Sequence, residues 1–549
     1  MKWLTLRIAT LFVCLAGAMT TGAMTAGAMT TGASAPATTQ TEALHVLNRL
    51  AFGPRPGDVE RVMKMGVDRY IDEQLHPDTI PMPAELAERL AKLRQGGMSQ
   101  ADLITTYRKV IKAAMNDGTG GAPGGGLAMR NALYKKMEVR FGELRLLPAI
   151  ESPRQLEEVM VDFWFNHFNV VRGKGLDHVL IADYEDKAIR PYVMGRFRDL
   201  LGATAKHPAM LFYLDNWLSV SAGADSRARV PGTRKTTAGL NENYARELME
   251  LHTLGADGGY SQTDVTTLAR MLTGWSMDPR RAVNGEAFRF FPALHDDSDK
   301  VWLGRAVPVK GRAEGEWALD VLASSPATAR HLSSELAQYF VADDPPPALV
   351  DRLAQRFLAT DGDIRAVLDT LFKSPEFRSP ANVGTQFKTP YQYVVSAMRA
   401  GGITVNNVRP LLAAMNRMGM PLYGCQSPDG YKSTREVWLN PDALAQRISF
   451  ATGIGKGRSP LAQVINDTVD NDPYAVGAPR DPVAASATPQ APASPRAAAS
   501  ANSSPLSADA VLATLGKQIS LQTRARIASL GPSPLAAGLV LGSPDFMRR

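Results

Sequence analysis

Two sets of polar side chains recur at helical spacing and could do chemistry. In the segment Arg154 to Asn169, residues Glu158, Asp162, Asn166 and Asn169 share one narrow stripe of a helix. Val159, Met160, Val161, Phe163, Trp164, Phe165 and Phe168 cover most of the remaining circumference, which argues burial. A carboxylate carried into a core is costly unless it is paired or bound to a cation. The stripe therefore calls for a water-filled cleft, an arginine such as Arg246, or a metal ion; its plainer reading is a face turned to bulk solvent. The second set lies in Asn241 to Met277, where Glu242, Arg246 and Glu250 line up with Asn243 and Glu247 beside them. Tyr244, Ala245, Leu248, Met249 and Leu251 occupy the opposite side of that helix.

Asp162, Glu242, Arg246 and Glu250 are the candidate catalytic residues. Two carboxylates near one arginine could be split in pKa and divide acid and base work, as hydrolysis requires. The same charges read equally well as a solvated face, since an exposed Glu242–Arg246 pair four residues apart is worth only about 0.2–0.5 kcal/mol. They also read as a buried network that fixes helix register. Glu158, Asn166, Asn241, Asn243, Glu247 and His252 are candidate binding residues beside them. His252 falls on the apolar side of its helix, as His167 does on the other, and such histidines are commonly hydrogen-bonded core residues. Further on, His295 with Asp296, Asp297 and Asp299 supplies nitrogen and oxygen ligands that suit a divalent ion, His295 and Asp296 first. Their spacing matches no EF-hand, and an ordinary acidic turn accounts for them too.

No standard catalytic signature accompanies these residues. Gly-x-Ser-x-Gly, His-Glu-x-x-His, the haem-attaching Cys-x-x-Cys-His and the phosphate-binding glycine loop are all missing from the sequence. No haem, nucleotide or flavin motif occurs; the cofactor is unknown, and a divalent metal is one candidate. Glu-x-x-His occurs twice, at Glu42 with His45 and at Glu73 with His76.

The elements that must position these residues read as helices. Asn241 can cap the first helix of the central segment, Gly255 can end it, and Ser261-Gln-Thr-Asp264 opens a second with a capping-box pattern. Val265, Leu268, Ala269 and Leu272 give that second helix one apolar face. Helical patterns also precede and follow the centre. They lapse after Met277, where Phe288, Phe290 and Phe291, an acidic turn and Val301 to Gly304 predict a small hairpin. The expected fold is all-α, a multi-helix orthogonal array with a β-hairpin insertion near 286–304. Leu371 to Arg378 (LFKSPEFR) and Val540 to Arg549 (VLGSPDFMRR) carry one local helix-exit motif twice.

The central stretch NENYARELMELHTLGADGGYSQTDV, followed by ARMLTGW with Trp275 at its end, resembles the signature of the bacterial family of domain of unknown function 1800. Leu47 to Leu75, FWFNHF (Phe163 to Phe168), AMLFYLDN (Ala209 to Asn216), His295 to Gly304 and the closing SPDFMRR are similar to it as well. The resemblance spans nearly the whole chain after residue 40. It implies a mostly helical, exported protein, brings no reaction with it, and adds Trp275 to the candidate binding residues. It also implies an association with an exported sulfatase- or alkaline-phosphatase-like protein, and hence an accessory role as an alternative to catalysis. Gly430-Tyr431 stands where the family pattern has Gly-Trp.

Residues 1–35 read as a signal peptide and a spacer: Lys2 and Arg7, then the apolar Ile8 to Ala18, then repeated Gly-Ala-Met-Thr units. Export to the periplasm or beyond is the expectation. No later stretch reaches the eighteen or so consecutive apolar residues of a transmembrane helix. Loss of the leader would leave Cys425 as a single cysteine, so no disulfide forms within the chain. Of the +7 formal charge, two units sit in the leader, and the one compact basic cluster, Arg227 to Lys235, lacks interleaved aromatics. Nucleic acid is not an expected partner. Residues 41–469 should form one large helical domain and 508–549 C-terminal helices packing on it. Pro-, Ala- and Ser-rich residues 470–505 should be a disordered linker, and the Gly-rich stretch at 117–126 a mobile loop.

Overall fold

The computed structural model describes residues 38–95, 97–117, 125–222, 239–462, 505–531 and 533–549. The leader, the centre of the Gly-rich stretch, the Arg227 to Lys235 cluster and nearly all of the expected linker lie outside the described residues. Among the described residues the chain forms twenty-four α-helices and two small antiparallel strand pairs. The mostly helical reading with a small hairpin holds. No described helix is long and apolar enough to cross a membrane.

Local capping chemistry sets the helices of the central segment. Ser261 Oγ accepts the N–H of Asp264 at 3.2 Å while Asp264 Oδ2 accepts the N–H of Ser261 at 2.8 Å, which closes the capping box of helix Gln262–Met271. Asn241 Oδ1 accepts the N–H of Asn243 at 3.0 Å in a turn just before helix Asn243–Glu250, whose N-cap residue Glu242 makes no side-chain cap. That helix buries Tyr244, Ala245, Leu248 and Met249, and the chain turns away at Gly255, where φ is +85°.

The core gathers around two helices with little exposed surface. All eleven residues of Pro390–Ala400 are buried, and ten of the thirteen in Gln155–His167 are. The long helix Gly125–Glu151 and helix Pro326–Phe340 flank them; the first carries Arg145, the second His331, Glu335 and Tyr339. Near the chain end, helices Pro441–Gly455 and Ala536–Leu541 cross closely. A Cβ on Gly455 would meet the Gly538 nitrogen at 2.5 Å, so small residues are required there. The last residues pair with Gln386 to Lys388: the Lys388 N–H donates to Met547 O and the Arg549 N–H to Gln386 O, each at 2.9 Å.

The strands depart from expectation in their pairing. Phe288–Phe290 pairs with Trp275–Met277, placing Trp275 opposite Phe290, and not with the segment after the acidic turn. Val301–Trp302 instead folds back on Arg305–Ala306 around Leu303 and Gly304, whose φ values of +48° and +72° suit a two-residue hairpin turn. The physical reason is Trp275: its ring is fully buried and packs edge-on against Phe288 at 5.3 Å, so the core anchors the Phe288 strand from the other side. The repeated Ser-Pro-acid-Phe motif follows a helix end in both copies, after Phe372 and after Leu541, and the first copy also opens the short helix Pro375–Arg378. Ser374 Oγ and Ser543 Oγ accept the N–H of Phe377 at 3.1 Å and of Phe546 at 3.2 Å, and both rings are buried.

Candidate active site

The polar stripe of helix Gln155–His167 meets a different partner at each turn. Glu158, 2% exposed, receives both terminal nitrogens of Arg190 at 2.7 and 3.1 Å. One turn on, Asp162 Oδ1 accepts from Arg145 Nη2 at 2.8 Å and Oδ2 from the Tyr339 hydroxyl at 3.2 Å. Arg145 Nη1 also donates to Glu185 at 2.9 Å, and Glu185 lies 3.6 Å from Arg190. Glu158, Arg190, Glu185, Arg145 and Asp162 thus form a continuous buried chain of alternating charge. A π-helical turn, Glu185–Ile189, sets Glu185 and Arg190 at the five-residue spacing this chain uses. Asn166 and Asn169 then face a loop: Asn166 binds the backbone of Tyr431, and Asn169 Nδ2 donates to the carbonyls of Cys425 and Ser427 at 3.2 and 2.8 Å. The arginine that neutralises Asp162 is Arg145, not Arg246.

At Asp162 the buried chain reaches an open cleft. About 1090 Å³ of space, continuous with solvent, is lined by Asp162, Asn166 and His167, by Glu250, and by His331, Glu335 and Tyr339. Residues 429–433 close it on another side, with Asp429 and Lys432 paired at 2.7 Å. A smaller space of about 390 Å³ behind Tyr431 shares Asp162 and Asn166 as lining and runs toward Arg145 and Tyr423.

Glu335 is held between two histidines. His167 Nδ1 lies 2.7 Å from Glu335 Oε2, and His331 Nε2 lies 3.6 Å from Oε1. His167 Nε2 is 3.2 Å from the His252 carbonyl, and His331 Nε2 is 3.1 Å from the Leu251 carbonyl. The Glu335 side chain is nonetheless 37% exposed, and that of Asp162 15%. Burial pushes the Asp162 carboxyl above its ordinary range, more than Arg145 and Tyr339 pull it down. Burial acts on Glu335 in the same sense, but the His167 charge and hydrogen bond outweigh it and hold its carboxyl below the ordinary range.

Of the residues singled out in the sequence, the structure brings Asp162, Asn166 and Glu250 to the cleft and leaves others elsewhere. Glu242 and Arg246 pair with each other at 3.1 Å, and Glu242 accepts from Gln262 at 2.8 Å and Thr266 at 2.7 Å, tying the two central helices together. Asn241 and Asn243 lie at the start of their helix, and Glu158 is sealed behind Arg190. Glu247 sits on the Glu250 side; burial, with Glu250 and Asp429 adding to it, raises its carboxyl. His252 is buried against Phe168, and burial, then His167 and His331, hold its ring well below the ordinary histidine range. Trp275 is core and not a cleft residue.

His295 and Asp296 also have protein partners. Asp296 Oδ2 accepts from Arg270 Nε at 2.8 Å; His295 Nδ1 lies 2.8 Å from the Thr273 carbonyl, and its Nε2 faces Glu314 at 3.5 Å. Lys300, its ammonium 2.8 Å from Glu314, supplies the local cation. Among the described residues no group of three or more His, Cys, Asp or Glu side chains is placed to hold a metal ion. His295 and Asp296 therefore lie in a turn bonded to Thr273, Arg270 and Glu314.

Glu335, His331 and Tyr339 escaped the sequence reading. Their signal was present: they recur at intervals of four along one face of helix Pro326–Phe340. A family model described as a protein of unknown function (DUF1800) matches residues 45–548. The chain belongs to that family. No curated protein and no solved structure matches it. For this DUF1800 member the cleft is therefore interpreted from its own geometry.

Proposed function

We propose that this DUF1800 protein is an exported acid–base hydrolase whose cleft works through Asp162 and Glu335. One observation carries the reading: two carboxyls line the same open cleft, and their surroundings push their pKa values in opposite directions. Such a split assigns roles. Asp162 keeps its proton longer and serves as general acid to the leaving group. Glu335, ionised and partly exposed, draws the proton from an attacking water. His167 fixes the Glu335 carboxylate from behind, and Tyr339 and Arg145 fix Asp162. The leader-like first 35 residues support export.

The test is turnover of 4-nitrophenyl esters, glycosides and peptide anilides by the mature chain. Asp162→Asn and Glu335→Gln should each lower kcat by about 10²–10⁴-fold, with circular dichroism and melting temperature retained. Hydrolysis that survives both substitutions would sink the proposal. The sealed Glu158–Arg190–Glu185–Arg145 chain supports a second, structural role for the same network, behind the cleft. An accessory role beside a sulfatase- or phosphatase-like protein rests on the family resemblance alone.

A further inference from the structure

Most of the carboxylates lining the cleft have a protein partner. Asp162 pairs with Arg145 and Asp429 with Lys432, while Glu335 lies 2.7 Å from His167 Nδ1 and 3.6 Å from His331 Nε2. Glu250 is the remainder: among the described residues no hydrogen bond or ion pair reaches its carboxylate, although it lines the cleft. Arg246, one turn back, is turned to Glu242. Glu250 is also the last residue of helix Asn243–Glu250, where the aligned peptide dipoles leave partial negative charge and favour cations. A carboxylate at that end, partly buried in the cleft wall, is favoured by a neighbouring cation. Burial first, then Glu250, raise the Glu247 carboxyl nearby, and Arg246 pulls it the other way.

Extending the hydrolase reading, on which it rests, we infer that the cleft takes a substrate carrying a protonated primary amine, held against Glu250. An amino sugar and a lysine-bearing peptide both present this group. The hydroxyl of Tyr339 and the Asn166 and Gln338 side chains around the cleft supply neutral polar contacts for the rest of such a molecule.

The experiment is calorimetric titration of the mature chain with D-glucosamine and with Nα-acetyl-lysine amide, each beside its uncharged N-acetylated twin. At least one amine should bind at one site about tenfold more tightly than its twin, with the preference shrinking in high salt. Glu250→Gln should remove the preference and Glu250→Asp should keep it. Which amine binds separates sugar from peptide. The inference is overturned if neither amine outbinds its twin, or if Glu250→Gln leaves the preference intact while melting is unchanged. Glu335→Gln separates this result from the hydrolase reading: it should lower turnover by about 10²–10⁴-fold and preserve the amine preference. Amine binding in a chain without turnover would sink the hydrolase reading alone.

Discussion

Asn166 holds Tyr431 by both of its backbone groups: Nδ2 donates to the carbonyl at 2.8 Å, and Oδ1 accepts the N–H at 2.7 Å. Gly430 just before has φ +69°, and a Cβ on it would meet the Asn166 carbonyl at 2.3 Å. The loop carrying Asp429 and Lys432 is thereby fixed to the helix carrying Asp162. Asn166→Ala should cost about 1–3 kcal/mol, because it leaves both backbone groups without their partner. Urea unfolding would measure the loss, and amide exchange at Tyr431 should speed up. A change below about 0.5 kcal/mol, the usual range for a surface substitution, would contradict this account.

The Glu158–Arg190 pair gives a second prediction. Arg190→Met alone should destabilise by about 3–5 kcal/mol, since it strands a buried carboxylate. The double variant Arg190→Met, Glu158→Leu should recover much of that loss, because two apolar side chains remove the need for either charge. Chemical denaturation of the two variants checks this; a double variant no more stable than the single one would show that Glu185 needs Arg190 independently.

Asp177 predicts a pH dependence. Both of its carboxyl oxygens are buried and accept no hydrogen bond among the described residues. Burial, then Asp215, push its carboxyl well above the ordinary range, and Lys174 pulls the other way. In the folded state it keeps a proton that the unfolded chain releases near pH 3.9. Its contribution is thus complete below that pH and declines as pH rises toward the folded value, by up to about 1.4 kcal/mol per unit. Asp177→Asn holds no such proton, so its stability relative to the wild type should improve as pH rises above about 4. A gap independent of pH, measured by thermal melts, would refute the assignment.

Gly315 tests the core beside Trp275. Alanine is favoured over glycine inside a helix by about 1 kcal/mol. A Cβ at Gly315, however, would meet two atoms of the Trp275 ring at 2.4 and 2.6 Å, and that ring has no exposed surface through which to move. Overpacking of this kind costs about 1–3 kcal/mol, so the clash should win. Gly315→Ala should lower the melting temperature, and adding Trp275→Phe should restore part of it. A stabilised single variant would mean that the ring has slack.

How far the sequence could be read differs from residue to residue. The Ser261–Asp264 box and the Glu242–Arg246 pair were legible because their partners lie three or four residues apart. Glu335 recurs with His331 and Tyr339 every four residues, so its stripe was legible too, but nothing local marks His167 as its partner 168 residues away. Strand pairing has the same limit: strand propensity shows in Phe288 to Phe291, whereas the choice of Trp275–Met277 as partner depends on a shared core.

The sequence by itself determined the helices, their caps and which face of each is apolar, since these follow from backbone hydrogen bonding and side-chain periodicity over a few residues. It also determined that Glu158, Asp162 and Asn166 form one stripe that must be satisfied. Tertiary structure alone decided what satisfies them: Arg190, Arg145 and a loop backbone, from three separate parts of the chain. It likewise decided that Glu242 and Arg246 stay on one surface while Glu250, one turn further, lines the cleft. The pairing of buried charges is set by desolvation, which depends on what surrounds each group in space. Sequence spacing reports that surrounding only for neighbours on one element.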